Sequence, residues 1–350
     1  MGVLRQRKRN PDSVRLGFVP LVDCASIALA YEDGIFEKHG LSVELTREPG
    51  WATIRDKMAY GELDAVHAPV GLAFALNWGI GVLKHPCLTG YLLNSNGDAI
   101  TFSNSLFEQG ATDPQSLVDT LKSTRRDHPL TLGVPHRFSS HHFLLLQWLR
   151  PFGLVSGRDF EIVVLPPSLM ASCLASGTID GYCVGEPFNT LASREGTGVI
   201  VAESAQLAPM HPEKALIVSD DFDESNHEIH LQLIRAVDEA ATFCETSSGR
   251  QRAIEILSTP HYLGMDPSLI RSSLFPSEPK KDGDISSESF HIFSHPEVNR
   301  PTADKANWLV SQMRNGGLLD NTDMRSGPAL TQILREDIFE AATSQAVLTS

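Results

Sequence analysis

Two segments of the chain carry residues that could bind a small anion. Ser139 or Ser140 can cap a helix that follows a short apolar strand, and the first-turn N–H groups of such a helix attract negative charge. His141 adds a side-chain donor in the same turn, and Lys214, just before a returning strand, would add a mobile positive charge. Taken alone, each segment is more often an ordinary capped helix or a solvated lysine; together they indicate an oxyanion site.

A third segment would face the same cleft. A buried strand ends at Gly185, and Pro187 suits the first turn of the next helix. Glu186 lies at that turn, so we predict that it also borders the ligand.

The elements that must position these residues alternate between strand and helix. Residues 14–19 form a strand-length apolar run, 25–39 a helix closed by Gly40, and 41–45 a second strand. The β-α-β rhythm continues to Ser219 and predicts largely parallel sheets with helices on both faces. Beyond Asp221, long amphipathic helices are predicted over residues 224–246, 250–257, 302–313 and 329–346. A polar segment over residues 276–295 is predicted to lie on the surface.

A chain of 350 residues exceeds one typical core, so two lobes are expected. We predict an α/β fold of the type II periplasmic-binding-protein kind, with the ligand cleft between the lobes at the strand ends and a helical C-terminal region. The predicted division is a flexible tail (1–13), lobe I (14–103 plus 220–350) and an inserted lobe II (104–219).

Composition narrows the function. With 29 basic and 43 acidic residues, the net charge of −14 disfavours direct nucleic-acid binding. Five scattered cysteines without a CxxC pair fit reduced, mostly buried thiols.

The early apolar stretch is interrupted by Pro20 and Asp23, so we interpret it as part of the fold rather than a secretory leader, and expect a cytoplasmic protein without membrane spans. No GxSxG, P-loop or post-strand GxGxxG motif supports an enzyme.

The motifs taken as a set resemble the nitrate- and bicarbonate-binding proteins of ABC transporters, the NrtA/CmpA-like group. The resemblance rests on Ser140-His141, Pro166-Pro167, the Val184–Asn189 turn, His211-Pro212-Glu213-Lys214-Ala215, and two first-lobe signatures at 61–67 and 94–97. It implies no metal and no cofactor other than the ligand. It implies His141 and Lys214 as the main anion-binding side chains. The pocket tryptophan of this group falls near Ala68 in this sequence, and Trp51 is expected to substitute for it in space. The further contacts implied are Pro167, Ala68, His67, Asn94 and Asn96.

A member of this group without a leader resembles the cytoplasmic nitrate/nitrite sensors of the NasS type. The resemblance implies that the ligand-free sensor sequesters an ANTAR-type antiterminator of the NasT type, and that nitrate or nitrite releases it to act on nitrate-assimilation genes. Two alternatives stay open. One is the substrate-binding component of a nitrate/sulfonate-type ABC transporter, and the other is an enzyme similar to the thiamine pyrimidine synthases, which the missing cysteine-rich motif disfavours.

Overall fold

The computed structural model describes residues 13–124, 128–275, 290–320 and 327–344, which form two sheets covered by helices. The strands are β1 (Ser13–Phe18), β2 (Ser42–Arg47), β3 (Ala65–Pro69), β4 (Cys87–Asn96), β5 (Asp98–Ser103), β6 (Leu130–Val134), β7 (Phe160–Val164), β8 (Gly181–Gly185), β9 (Gly198–Glu203), β10 (Pro212–Ser219) and β11 (His291–Ile292). The helices are α1 (Ala25–Glu32), α2 (Ile35–Lys38), α3 (Trp51–Ala59), α4 (Val70–Trp78), α5 (Asn104–Glu108), α6 (Pro114–Ser123), α7 (Ser140–Leu149), α8 (Met170–Ala175), α9 (Phe188–Arg194), α10 (Ser204–Leu207), α11 (Asp220–Cys244), α12 (Ser247–Leu257), α13 (Pro267–Leu274), α14 (Pro296–Asn299), α15 (Ala303–Asn315), α16 (Leu330–Ile333) and α17 (Glu336–Thr343).

The two sheets are mixed rather than largely parallel. In the first, with strand order β11-β4-β10-β3-β1-β2, β1 pairs in parallel with β2 and β3, whereas β10 runs antiparallel to β3 and β4. In the second, β7-β6-β8-β5-β9, strand β5 runs antiparallel to both of its neighbours. The prediction of largely parallel sheets was wrong because β4, β5 and β10 carry the chain between the lobes and are not part of β-α-β units.

The early apolar stretch belongs to the core of the first sheet. Strand β1 lies between β2 and β3, and the 3-10 turn Val22–Cys24 and most of α1 are buried. The predicted helix over 25–39 is divided into α1 and α2, because Gly34 adopts a left-handed φ of 71°. Residues 1–12 of the predicted tail lie outside the described residues, and Ser13 already belongs to β1.

The chain passes between the two sheets earlier than the predicted divisions suggest. Asp98–Ser103, assigned to lobe I, is strand β5 of the second sheet. Pro212–Ser219, assigned to the inserted lobe, is strand β10 of the first sheet. The crossings therefore fall at Gly97 and just before Pro212.

The C-terminal region is helical, as predicted, but less continuous than expected. Helix α11 has a kink at Asn226, and the predicted helix over 329–346 forms α16 and α17 instead. Most of the predicted surface excursion, residues 276–289, lies outside the described residues. Within the described part of the chain, no helix combines the length and apolar character needed to cross a bilayer.

Apolar packing holds the lobes against each other. One buried cluster joins first-lobe residues such as Phe74 with second-lobe residues such as Phe143 and Met170. The lobes approach closely at Gly71 in α4, where a Cβ atom would overlap the carbonyl oxygen of Phe138. Because the obstacle is backbone, a side-chain rotation cannot relieve the overlap.

We therefore expect Gly71→Ala to separate the lobes. The added methyl group must displace the Phe138 loop, so the radius of gyration in small-angle X-ray scattering should increase. Gly50→Ala is the matched control, because nothing lies within 4 Å of the Cβ position there. Indistinguishable scattering curves for Gly71→Ala and the wild type would contradict this expectation.

Candidate functional site

Seven ionisable side chains from distant parts of the sequence meet between the two sheets. None of these residues is more than 3% exposed. We call this set the cleft cluster; its members are Asp23, His67, Asp98, His141, His211, Glu213 and Lys214.

Lys214 lies at the centre of the cleft cluster. Its position in β10, paired with Pro69 of β3 and Asn94 of β4, fixes its backbone. Its Nζ atom lies 2.8 Å from Asp23 Oδ2 and also bonds to Glu213 Oε1. Burial opposes the charged ammonium, but the nearby carboxylates outweigh burial and raise the pKa of Lys214. The prediction of a mobile lysine was therefore wrong, because two carboxylates hold it.

His67 extends the cluster through Asp23. In β3 its Nε2 atom lies 3.1 Å from Asp23 Oδ1, so one carboxylate serves both His67 and Lys214. Burial would raise the pKa of Asp23, but Lys214 and His67 outweigh burial and lower it. Asp23 is therefore ionised although water does not reach it.

Two further histidines share the remaining carboxylates. His141 Nε2 lies 3.0 Å from Asp98 Oδ1 and 3.4 Å from Glu213 Oε1. His211 Nε2 lies 3.4 Å from Asp98 Oδ2, and its Nδ1 donates to the Ala208 carbonyl at 3.0 Å. Burial disfavours the imidazolium, but Asp98 and Glu213 raise the pKa of His211 to about 9. His211 is therefore positively charged at neutral pH.

Trp51 forms one wall of the cluster. It opens α3 in the first lobe, and its ring stacks on His141 of the second lobe at a centroid distance of 5.8 Å. Lys214 Nζ lies 4.9 Å from the indole centroid, a cation–π distance. The buried indole Nε1 has no hydrogen-bond partner among the described residues. Trp51 therefore links the lobes and offers a free donor.

Three more predicted contacts have a place near this cluster. Asn94 lies opposite Lys214 in the sheet, and its Oδ1 atom is buried without a partner among the described residues. Ser140 precedes His141 at the start of α7, with an equally unpartnered hydroxyl. Ala68 lies in β3 between His67 and Pro69 and pairs with Ala215, so it can offer only backbone or a methyl surface.

The other predicted contacts make different bonds. The Glu186 carboxylate accepts from the Thr190 amide at 3.1 Å and from Ser273. Asn96 Oδ1 accepts from the Met210 amide at 3.0 Å, which ties the two crossings together. Pro167 lines a cavity of about 230 Å³ with Arg47 and Glu48, a cavity that no cluster side chain lines. The structure therefore does not bring these three side chains to Lys214.

The start of α7 is held differently from the prediction. Ser139 occupies the cap position by its backbone, but its hydroxyl donates to the His136 carbonyl at 2.6 Å and not to the helix. His136 in turn accepts from the Phe138 amide at 3.2 Å, and burial lowers the pKa of His136 to about 4. The loop before His141 is thus fixed by its own neutral histidine.

Sequence reasoning missed Asp23, Asp98, His211 and Glu213 as site residues. A usable signal was present for Asp23, since a lone carboxylate inside an apolar run must be paired if the run is buried. The His-Pro-Glu-Lys order also placed His211 and Glu213 beside the predicted Lys214. Nothing in the sequence shows which histidine each carboxylate would meet.

One group in the cluster has the composition of a metal site. Asp98, His211 and Glu213 offer ligand atoms within 4.8 Å of one another, a set that suits a divalent transition metal. The same two carboxylates, however, contact His141 and Lys214. In this arrangement side-chain nitrogens already contact both carboxylates, and the prediction of no metal stays a prediction.

The two mixed sheets, the double crossing and the site between the lobes define a type II periplasmic-binding-protein-like fold, as predicted. A solved structure with this fold, the periplasmic nitrate-binding protein NrtA from Synechocystis PCC 6803, is similar with a TM-score of 0.86 and 23% identity, over 97% of this chain and 90% of that one. The NMT1-like family model matches residues 7–258, and the chain belongs to this family.

Two curated relatives from Synechocystis sp. (strain ATCC 27184 / PCC 6803 / Kazusa) are each 34% identical to the chain. They are the nitrate import ATP-binding protein NrtC, matched over 310 residues, and the bicarbonate transport ATP-binding protein CmpC, matched over 308. Both matches cover 87% of this chain but only 46% of the relative, so the chain spans less than half the length of either.

Glu186, which lies outside the cleft cluster, offers a test of how burial affects a carboxylate in this fold, and the test needs no ligand. Burial raises the pKa of Glu186 from 4.5 to about 7. Ionisation of this side chain therefore lowers the free energy of unfolding. The loss begins above pH 4.5 and reaches its full size above pH 7. Glu186→Gln keeps an acceptor for Thr190 and should be more stable than the wild type by about 2 to 3 kcal/mol at pH 8, with no gain near pH 4.5.

Urea denaturation at both pH values measures this difference. The exposed Glu161→Gln is the control, and it should change little at either pH. A Glu186→Gln stability that parallels the wild type across the pH range would show that the carboxylate is not strained by burial.

Proposed function

We propose that the chain binds nitrate or nitrite in the interlobe cleft and acts as a cytoplasmic sensor. The observation that carries the anion site is a set of buried nitrogen donors gathered where the lobes meet. They are Lys214, His141 and the Trp51 indole, whose Nε1 has no hydrogen-bond partner within the described part of the chain. Nitrate is planar, singly charged and weakly basic, so a few fixed donors and a positive charge suffice to bind it. The likeness to a nitrate-import relative supports the choice of ligand.

Ligand binding would favour lobe closure in this arrangement. Lys214 and Trp51 belong to first-lobe elements, whereas His141 belongs to α7 of the second lobe. An anion that contacts all three binds the closed form better than the open one, and this differential affinity shifts the equilibrium. A partner that binds one form can therefore sense the ligand.

The sensor proposal assigns the RNA contact to a partner. The net charge of −14 disfavours a phosphate backbone as a direct ligand. We propose that the open form sequesters an antiterminator of the NasT type and that the anion releases it. The transport alternative shares the same anion site and differs only in its partner, a membrane permease.

His141→Ala tests the anion site. Loss of one buried hydrogen-bond donor to the anion should weaken nitrate affinity roughly 10- to 100-fold in titration calorimetry. The neighbouring His142→Ala is the matched control, because the His142 ring bonds to the Arg137 carbonyl at 2.7 Å and lies outside the cluster. Equal nitrate affinity for His141→Ala and the wild type would remove His141 from the site.

Lys214 needs a paired substitution. Lys214→Ala alone leaves Asp23 and Glu213 buried without their cation, which itself destabilises the fold. Combining Lys214→Met with Glu213→Gln removes one charge of each sign. We expect this double variant to fold and to bind nitrate at least about tenfold more weakly than Glu213→Gln alone.

The sensor role is tested by co-purification. The native chain should retain an antiterminator when nitrate and nitrite are absent and lose it when either is added at saturating concentration. His141→Ala should retain the partner at anion concentrations that release it from the wild type. Retention that is insensitive to both anions, or recovery of a permease in place of an RNA-binding protein, would reject the sensor and favour transport.

A further inference from the structure

The cleft cluster contains more carboxylates than a simple anion site requires. Asp23, Asp98 and Glu213 all lie within ion-pair distance of the cations that would hold the anion. Carboxylates repel an anion and accept no hydrogen bond from nitrate, which has no proton to donate. Their presence among the binding donors therefore calls for a role other than direct attraction.

Counting charges indicates that role. The groups of the cluster that can carry a positive charge are Lys214, His67, His141 and His211, at most four positive charges, and the three carboxylates carry three negative charges. The largest possible surplus is therefore one positive charge. The first turn of α7 adds only a partial charge.

The ionisable and polar groups around the cluster do not change this net charge. Burial lowers the pKa of His136 and of His291 to about 4, so both are neutral at pH 7. Burial raises the pKa of the Cys183 thiol, which also stays neutral. Trp51, Asn94 and Ser140 carry no charge.

We infer that Asp23, Asp98 and Glu213 set the valence of the ligand, so that the cleft accepts a monovalent oxyanion and rejects a divalent one such as sulfate. This inference rests on the proposed anion site. At the largest possible surplus a monovalent anion completes the charge balance, whereas a divalent anion leaves at least one negative charge uncompensated where water does not reach. The carboxylates thus act as specificity-determining residues.

Removing one carboxylate should relax this selectivity. Glu213→Gln preserves the shape of the side chain and raises the largest surplus to two positive charges, which a dianion can match. Asp98→Asn does the same from the second lobe. Asp238→Asn is the control, because this partly buried carboxylate bonds to Tyr91 OH at 2.9 Å and lies outside the cluster.

The experiment is calorimetric titration of each protein with nitrate, nitrite, bicarbonate, perchlorate and sulfate at pH 7. Perchlorate and sulfate share a tetrahedral shape and differ in valence, so their comparison separates charge from shape. We expect the wild type to prefer nitrate over sulfate by at least about 100-fold, and Glu213→Gln and Asp98→Asn to reduce that ratio by at least about tenfold. Asp238→Asn should keep the wild-type ratio.

The outcomes separate this inference from the proposed ligand. We call the inferred selection of a monovalent anion by the three carboxylates the valence rule. If the wild type binds neither nitrate nor nitrite but binds another monovalent anion, and Glu213→Gln binds sulfate more tightly than the wild type does, the ligand assignment fails and the valence rule holds. Wild-type sulfate affinity within about tenfold of nitrate, or an unchanged ratio in both carboxylate variants, overturns the valence rule. So does the absence of any anion binding by the wild type. The anion affinities of the wild type alone can overturn the valence rule. The inference therefore stays testable even if a variant fails to fold.

Discussion

A charged side chain without access to water is stable only beside an opposite charge, and this constraint governs the cleft between the lobes. Lys214 is fully buried, so Asp23 and Glu213 must lie against it. Those carboxylates in turn meet His67 and His141, and the second bond reaches into the other lobe. The pairing requirement therefore holds together segments that are far apart in the sequence.

The topology satisfies this constraint through its crossings. Strand β10 carries Glu213 and Lys214 into the first sheet, while β5 begins with Asp98 in the second. Gly185 ends β8 between them, and a Cβ atom there would stand 3.4 Å from carboxylate oxygens of both Asp23 and Asp98. A larger residue would compete with any ligand for this space. The antiparallel strands β5 and β10, which break the β-α-β rhythm, thus carry three of the seven cluster residues, Asp98, Glu213 and Lys214.

The sequence supported the prediction of elements and of single residues of the cleft cluster much better than that of their partners. Strand β6 and helix α6 fall where apolar periodicity, Pro114 and Asp113 predict them, because those signals are local. His141 and Lys214 were recognisable from motifs. Their partners were not, since the contact between Asp98 and His141 spans 43 positions and depends on how two sheets face each other. Ser139 shows the same limit on a smaller scale, because the nearby His136 carbonyl takes the hydroxyl that a helix cap would use.

The charge balance also connects selectivity with switching. A cleft whose cations are already paired does not attract anions indiscriminately, because each cation must share its carboxylate partner with the ligand. In the proposed site a bound anion would replace part of that pairing, and the nitrogen donors proposed to contact it come from both lobes, so its affinity would depend on how the lobes are placed. A site with bare cations would bind more tightly but would discriminate less between anions and hold the lobes apart by repulsion. Under the proposed function the carboxylates would therefore lower the affinity and make the response depend on the ligand's charge and on closure.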